Sequence, residues 1–266
     1  MPPYCYSQFY TLVSASPKNN RIKMDKILIG IVTYEGKNYC FKQFSHFLRS
    51  ITYPNIDIVF VDNSFTPENK NSLIKQGFNA VWLRKGKTDK EIMANCNEWL
   101  REYALQYHFS HLLSLESDII PCPNFLEFML SYEKPVIGLP YFIGQSFLSY
   151  LLEFDRETSG YNRQLIPMSN AKSFFQYNGK LKRSQQIGLG CLLMHKSVLK
   201  RVKFVIQPEL SAYHADSSLH MQLQQLSIPV YLCPDYICEH ENKVYNRIFT
   251  ESDVNNSEGY KDYNDN

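Results

Sequence analysis

KILIGIVTY, residues Lys26 to Tyr34, decides how the rest of the chain is read. The run is β-branched and aliphatic without interruption. It lacks the alternating polar residues of a half-exposed strand, so it reads as a strand buried on both faces. Just downstream, Cys40, Phe44, Phe47, Leu48 and Ile51 recur at helical spacing. Ile56 to Asp62 (IDIVFVD) is a second buried strand. Thr66 is placed to cap a helix, with Pro67 at its first position and Gly77 past its end. Ala80 to Leu83 is a third strand, and Thr88-Asp-Lys-Glu91 is a capping box. The helix it opens carries Ile92, Cys96, Trp99, Leu100, Tyr103 and Tyr107 on one stripe. His111 to Leu115 is a fourth strand, followed by Glu116-Ser117-Asp118. Strands and helices alternating in this order predict an α/β fold: a mostly parallel, Rossmann-like sheet with helices on both faces.

The second half is less regular. Pro135 to Phe142 and Ile187 to Met194 read as strands, Ser217 to Leu226 as a helix, and Pro229 to Leu232 as a last strand. Residues 155–186 are polar and mixed and read as a long loop or lid. Residues 1–23 hold Pro2, Pro3, Pro17, Asn19 and Asn20 without any period, and read as a flexible N-terminal extension. Glu251 to Asn266 is polar and acidic. The expected organisation is one domain over 24–248 and a flexible acidic tail over 249–266.

Composition narrows the function. The chain has 266 residues, 44% hydrophobic and 20% charged, which suits a soluble globular domain. Lys+Arg is 28 against Asp+Glu at 26, for a net charge of +2, which argues against a dedicated nucleic-acid binder. No apolar run reaches the roughly 18 residues of a transmembrane segment. The nearest, Val136 to Leu152, is followed at once by Glu153, Asp155 and Arg156. The seven cysteines include no Cys-x-x-Cys pair and fall in apolar stretches. They read as reduced core residues of a cytoplasmic protein rather than as zinc ligands or disulfides. Met-Pro-Pro-Tyr-Cys-Tyr at the start lacks the basic and apolar parts of a secretory signal.

In parallel α/β sheets ligands gather at the carboxyl ends of the strands. Here those ends carry Thr33-Tyr34-Glu35, Asp62-Asn63-Ser64 and Glu116-Ser117-Asp118. No Gly-x-Gly-x-x-Gly follows the first strand and no P-loop occurs, so backbone amides are not the expected phosphate cradle. Carboxylates holding Mg2+ or Mn2+ would neutralise a phosphate instead, and Glu116 and Asp118 are the best placed. The same two residues also suit a turn before Pro121 and Pro123, and Asp62 suits a strand-end turn.

Taken in order, KILIGIVTY, IDIVFVDNS and LLSLESDII resemble the first, second and fourth strands of GT-A glycosyltransferases of the family 2 type. Ile187 to Met194 with His195 to Phe204 resembles that family's acceptor-side strand and helix. Ala215-Asp216, the helix after it, Ile228 to Tyr231 and His240 resemble its catalytic acid, last strand and late metal-binding histidine. The resemblance spans about residues 26–240. It implies a metal-dependent, inverting, non-processive enzyme that moves a sugar from a nucleoside-diphosphate sugar to an acceptor hydroxyl. Thr33, Tyr34 and Glu35 would line the nucleoside pocket, Asp62 would meet the base, and Arg84 and Lys85 would approach the nucleotide. Asp118 would bind Mn2+ or Mg2+, Glu116 would assist at the metal or the ribose, and His240 would complete the shell. Asp216 would be the catalytic base. The acceptor would be a glycan, a lipid, a protein or a modified nucleic acid.

The sequence departs from the pattern in two places. Glu-Ser-Asp stands where the family has Asp-x-Asp, and Ala215-Asp216 where it has Glu-Asp. The Gln-x-x-Arg-Trp motif of processive members is absent. On the residues alone, Asp216 also reads as a helix N-cap and His240 as a hydrogen-bonded histidine, while His214 and His220 flank Asp216. Two other functions fit: a nucleotidyltransferase, whose loop after the first strand would be Tyr34-Glu-Gly-Lys37, and a catalytically inactive nucleotide-sugar binding module.

Overall fold

The computed structural model describes residues 24–143, 146–154, 161–167, 181–184, 186–206, 215–233, 236–242 and 247–249. The expected N-terminal extension lies outside them, as does the acidic tail beyond Phe249.

β1 (Ile27–Thr33), β2 (Ile56–Asp62), β3 (Asn79–Trp82) and β4 (His111–Leu115) form one parallel block in the order β4-β1-β2-β3. Helices α1 (Phe41–Ser50), α2 (Glu68–Lys75) and α3 (Asp89–Gln106) connect them. Alternate residues of β1 enter different cores. Ile27, Ile29 and Ile31 pack with Phe44 and Phe47 of α1, whereas Leu28 packs with Ile92, Cys96 and Leu100 of α3. A strand apolar on both faces therefore buries one set against each helical layer, which is why its sequence shows no polar alternation. The capping box at Thr88 forms as expected, with Glu91 N–H donating to the Thr88 hydroxyl at 3.3 Å. Thr66 does not cap α2. Pro67 takes the cap position without a side-chain bond, and the Lys70 amide donates instead to Asp62 Oδ2 at 2.9 Å.

Beyond β4 come β5 (Ile119–Ile120), α4 (Phe125–Ser131), β6 (Val136–Gly138), β7 (Phe142–Ile143), β8 (Ser146–Phe154) and β9 (Tyr161–Pro167). Then follow β10 (Lys182–Ser184), β11 (Gln186–Ile187), β12 (Cys191–His195), α5 (Lys196–Leu199), α6 (Ala215–Gln225), β13 (Val230–Leu232), β14 (Glu239–Asn242) and β15 (Arg247–Phe249). The main sheet runs β10-β13-β6-β12-β4-β1-β2-β3, with β12 and β10 antiparallel to their neighbours. Two expectations are corrected. The 155–186 stretch is not one loop, because β9 pairs with β8 and β10 with β13. Residues 155–160 and 168–180 lie outside the described set. The helix expected over His195 to Phe204 is a single turn, Lys196–Leu199. The six described cysteines are free thiols, five of them buried. No helix among the described residues is long and apolar enough to cross a membrane.

Candidate functional site

Asp118 stands in the short turn between β4 and β5, where the Ile119 amide donates to the Glu116 carbonyl at 3.0 Å. His240 reaches it through pairing of small strands. β14 runs antiparallel to β5 with His240 opposite Ile119, and the Glu241 amide donates to the Asp118 carbonyl at 2.9 Å. A one-residue slip of β14 would turn His240 to the other face, so this register is what brings the two residues together. His240 Nε2 lies 3.5 Å from Asp118 Oδ2. The other ring nitrogen, Nδ1, donates to the Phe142 carbonyl. In a neutral ring that bond leaves Nε2 as a lone pair facing a carboxylate oxygen. Two acceptors in that position need a cation or a proton between them.

Two groups from the turn after β1 also converge on Asp118. The Lys37 ammonium contacts Oδ2, and the Tyr39 hydroxyl lies 3.1 Å from the same atom. Tyr39 is equally 3.1 Å from the Glu241 carbonyl, so one phenolic hydrogen serves two acceptors. The Cys40 thiol donates to the Ser117 carbonyl at 3.1 Å and ties the turn to the site. Asp118 Oδ1 is buried and has no partner. Burial alone would raise the Asp118 pKa, but the hydrogen bond to His240 and the charge of Lys37 prevail and hold it at about 2. Burial works against His240 and Lys37 too, yet both are raised, chiefly through Asp118. Glu116 goes the other way. Burial first, and then the charge of Asp118, push it to about 6.

The end of β2 is built differently. Asp62 is fully buried, and its oxygens are committed. Oδ1 accepts from the Ser64 hydroxyl at 2.6 Å, Asn69 Nδ2 at 2.9 Å and the Ser64 amide at 3.3 Å, and Oδ2 accepts from the Lys70 amide. Ser64 Oγ in turn accepts from the Glu35 amide at 2.9 Å, which ties this corner to the turn after β1. That hydroxyl also lowers the Glu35 pKa. In this conformation the Asp62 carboxylate holds the loop that follows β2. The exposed groups here are aromatic and cationic. Phe65 is 75% exposed, with the Arg84 guanidinium 3.9 Å above its ring. Arg84 also donates to the Asn63 carbonyl at 2.8 Å, and Trp82 Nε1 to the Ser64 carbonyl at 2.9 Å. Lys85 is exposed on the following turn. Tyr34 is exposed, whereas Thr33 is buried with its hydroxyl 3.4 Å from that of Ser117.

On the other flank of Asp118, the Glu116 amide donates to the Gly190 carbonyl at 3.0 Å, and the Gly190 amide donates to the Tyr141 hydroxyl at 3.1 Å. A Cβ on Gly190 would lie 2.5 Å from the Tyr141 ring, so only glycine fits. Asp216 is half-buried in the first turn of α6, and its Oδ1 accepts from the Ser217 amide at 2.7 Å. Its charge raises the pKa of both Glu116 and the buried Tyr141, after burial and nearer charges. His220 is a fastener. Nδ1 donates to the Asp216 carbonyl at 2.8 Å and Nε2 accepts from the Ile187 amide at 3.1 Å. Burial lowers its pKa, which suits that neutral role. His214 lies outside the described residues.

Among the described residues no three His, Cys, Asp or Glu side chains converge at metal-ligand spacing. Glu116, Asp118 and His240 therefore do not form the three-ligand shell expected from the sequence. Asp118 and His240 alone would fit a divalent cation, on the strength of the unpartnered Oδ1 and an imidazole nitrogen 3.5 Å from Oδ2 that would give up its proton to the metal. Mg2+-type sites commonly use one or two protein ligands and complete the shell with water and phosphate oxygens. Sequence reading missed Tyr39 and Glu241, and singled out Lys37 only in the loop of the nucleotidyltransferase alternative. Glu241 also has a buried, unpartnered Oε2. The only signal was their nearness in sequence to residues already singled out.

Comparison with protein-family models finds no match, and neither does comparison with curated proteins. Solved structures do match. A197 from STIV is 13% identical over 84% of this chain and 93% of its own, at a TM-score of 0.47. A CMP:2-keto-3-deoxy-manno-octonic acid synthetase complexed with CTP is 11% identical over 78% and 89%, at 0.46. GalNAc-T7, crystallised with UDP, GalNAc and Mn2+, is 11% identical over 82% of this chain and 44% of its own, at 0.55. This chain thus spans less than half of GalNAc-T7, and the likeness is one of fold: a mixed α/β, GT-A type architecture around a mostly parallel eight-stranded sheet.

Proposed function

We propose that the chain is a metal-dependent, inverting, non-processive glycosyltransferase that takes its sugar from a nucleoside-diphosphate sugar. The observation that carries this reading is the Asp118–His240 pair. Asp118 keeps one buried oxygen without a hydrogen-bond partner and has His240 Nε2 3.5 Å from the other, at the carboxyl end of β4. UDP and Mn2+ accompany GalNAc-T7, a neighbour in fold, which agrees with that chemistry.

In this reading the nucleotide lies along the strand ends. From β4 to β3 is three strand spacings, roughly 14 Å, which gives room for diphosphate at Asp118 and base at the β2–β3 edge. Tyr34, Phe65 and Arg84 offer the base two rings and a planar cation, while Glu35 and Thr33 border the ribose. Asp62 shapes this pocket by holding Ser64 and Asn69, and Lys85 meets the nucleotide only from its rim. Asp118 and His240 would hold Mn2+ or Mg2+, which supplies positive charge to the departing diphosphate. Glu116 fixes the turn beside them. Asp216 accepts the proton of the acceptor hydroxyl as that oxygen attacks the anomeric carbon from the far face.

The test is to incubate the protein with sugar nucleotides and Mn2+ and identify what is released. A nucleoside diphosphate supports the proposal. In a second arm, with a nucleoside triphosphate and a sugar phosphate offered instead, release of pyrophosphate would support the nucleotidyltransferase alternative, with Lys37 in the turn after β1. Release of neither, with nucleotide bound, would mark a binding module. Asp216→Asn should lower turnover by about 10²–10⁴-fold at unchanged donor affinity.

A further inference from the structure

We propose that the Lys37 ammonium is a resident cation that competes with the divalent ion for Asp118 and yields when a diphosphate arrives to take its charge. The inference rests on the metal reading above and deepens it. Lys37 comes from a different element than the metal pair, the single 3-10 turn Glu35–Lys37. Its ammonium touches Asp118 Oδ2, the oxygen that His240 Nε2 faces, and Glu116 adds a second attraction. An ammonium and a divalent ion at one carboxylate oxygen repel strongly in a setting this dry, so the two exclude each other. The exposure of the two side chains fits an exchange. The Asp118 side chain is 4% exposed, whereas that of Lys37 is 25% exposed and sits on a flexible four-carbon stem.

The arrangement also explains how the site folds before any metal binds. Asp118, Glu116 and Glu241 bring acid groups together, and a buried carboxylate without a counter-ion is costly. Lys37 supplies that charge until the metal does. Phosphates bound at the strand ends would lie within reach of the displaced ammonium. Metal and diphosphate would then each promote binding of the other, by the same factor in both directions.

The experiment is a Mn2+ titration of the full chain, followed by the paramagnetic signal of free Mn2+, without nucleotide and then with UDP as probe. Lys37→Met should bind Mn2+ alone about tenfold or more tighter than the unmodified chain, because the competing charge is gone. Added UDP should tighten Mn2+ strongly in the unmodified chain and less in Lys37→Met. Lys37→Gln serves if the Met variant fails to fold, since its amide can still donate to Asp118 without charge. Equal Mn2+ affinity in variant and unmodified chain overturns the competition and leaves the metal site standing. No bound Mn2+ in either, even with UDP, overturns the metal site and the competition with it.

Discussion

Asp62 and Asp118 each follow an apolar parallel strand with a buried carboxylate, yet their surroundings differ. Asp62 accepts four hydrogen bonds from its own loop, at Ser64, Asn69 and Lys70. Asp118 has one oxygen crowded by Lys37, Tyr39 and His240 and the other with no partner. A carboxylate saturated by neighbouring donors is a structural part. One with an oxygen left without a donor is, on the function proposed above, the one open to a ligand. The strand-end position is the same, so it cannot distinguish the two roles. The donor inventory does.

The largest effect that would sharpen this contrast is on stability. Asp62→Ala strips a charged acceptor from several donors and should cost about 3 kcal/mol, read as a lower urea midpoint at unchanged slope. Asp118→Asn should cost about 1 kcal/mol or less, since the amide keeps the shape and Lys37 can turn to solvent. Equal losses in the two variants would break the contrast. Next, Gly190→Ala pushes a methyl into Tyr141 and should cost about 2 kcal/mol, measured the same way.

The far end of β4 provides a pH test. His111 is buried there, and burial, aided by His195 and Lys196 and opposed by Asp25, lowers it from 6.5 to about 4. The fold thus prefers the neutral ring. Its contribution is complete above pH 6.5 and is lost as pH falls toward 4, at about 1 kcal/mol per unit. His111→Asn should flatten the melting temperature over that window. An unchanged slope would show that the ring carries no such penalty. The smallest effect is at Phe65, whose ring is largely exposed. Phe65→Ala should change stability by less than about 0.5 kcal/mol, while nucleotide affinity falls severalfold if the ring is a base platform.

Much of the first half was legible because strands buried on both faces leave uninterrupted apolar runs. IDIVFVD and HLLSL match β2 and β4 residue for residue. The hairpin of β8 and β9 was not legible, because Glu153, Asn162, Arg163 and Gln164 interrupt any period. At the site, sequence order pointed to Asp118 and His240, and β-pairing between β5 and β14 brings them together. Lys37 was illegible as a partner of Asp118, since 81 residues separate them and only the β1–β4 pairing makes them neighbours. The donors that hold Asp62 were not legible either, because they lie beyond the strand, where pattern reading sees only a turn.

The most direct test of the account is calorimetric titration of UDP into the unmodified chain and Asp118→Asn, with and without Mn2+. The account predicts that Mn2+ strengthens UDP binding to the unmodified chain and does nothing for Asp118→Asn, which still melts cooperatively. Full Mn2+ enhancement in Asp118→Asn would contradict it.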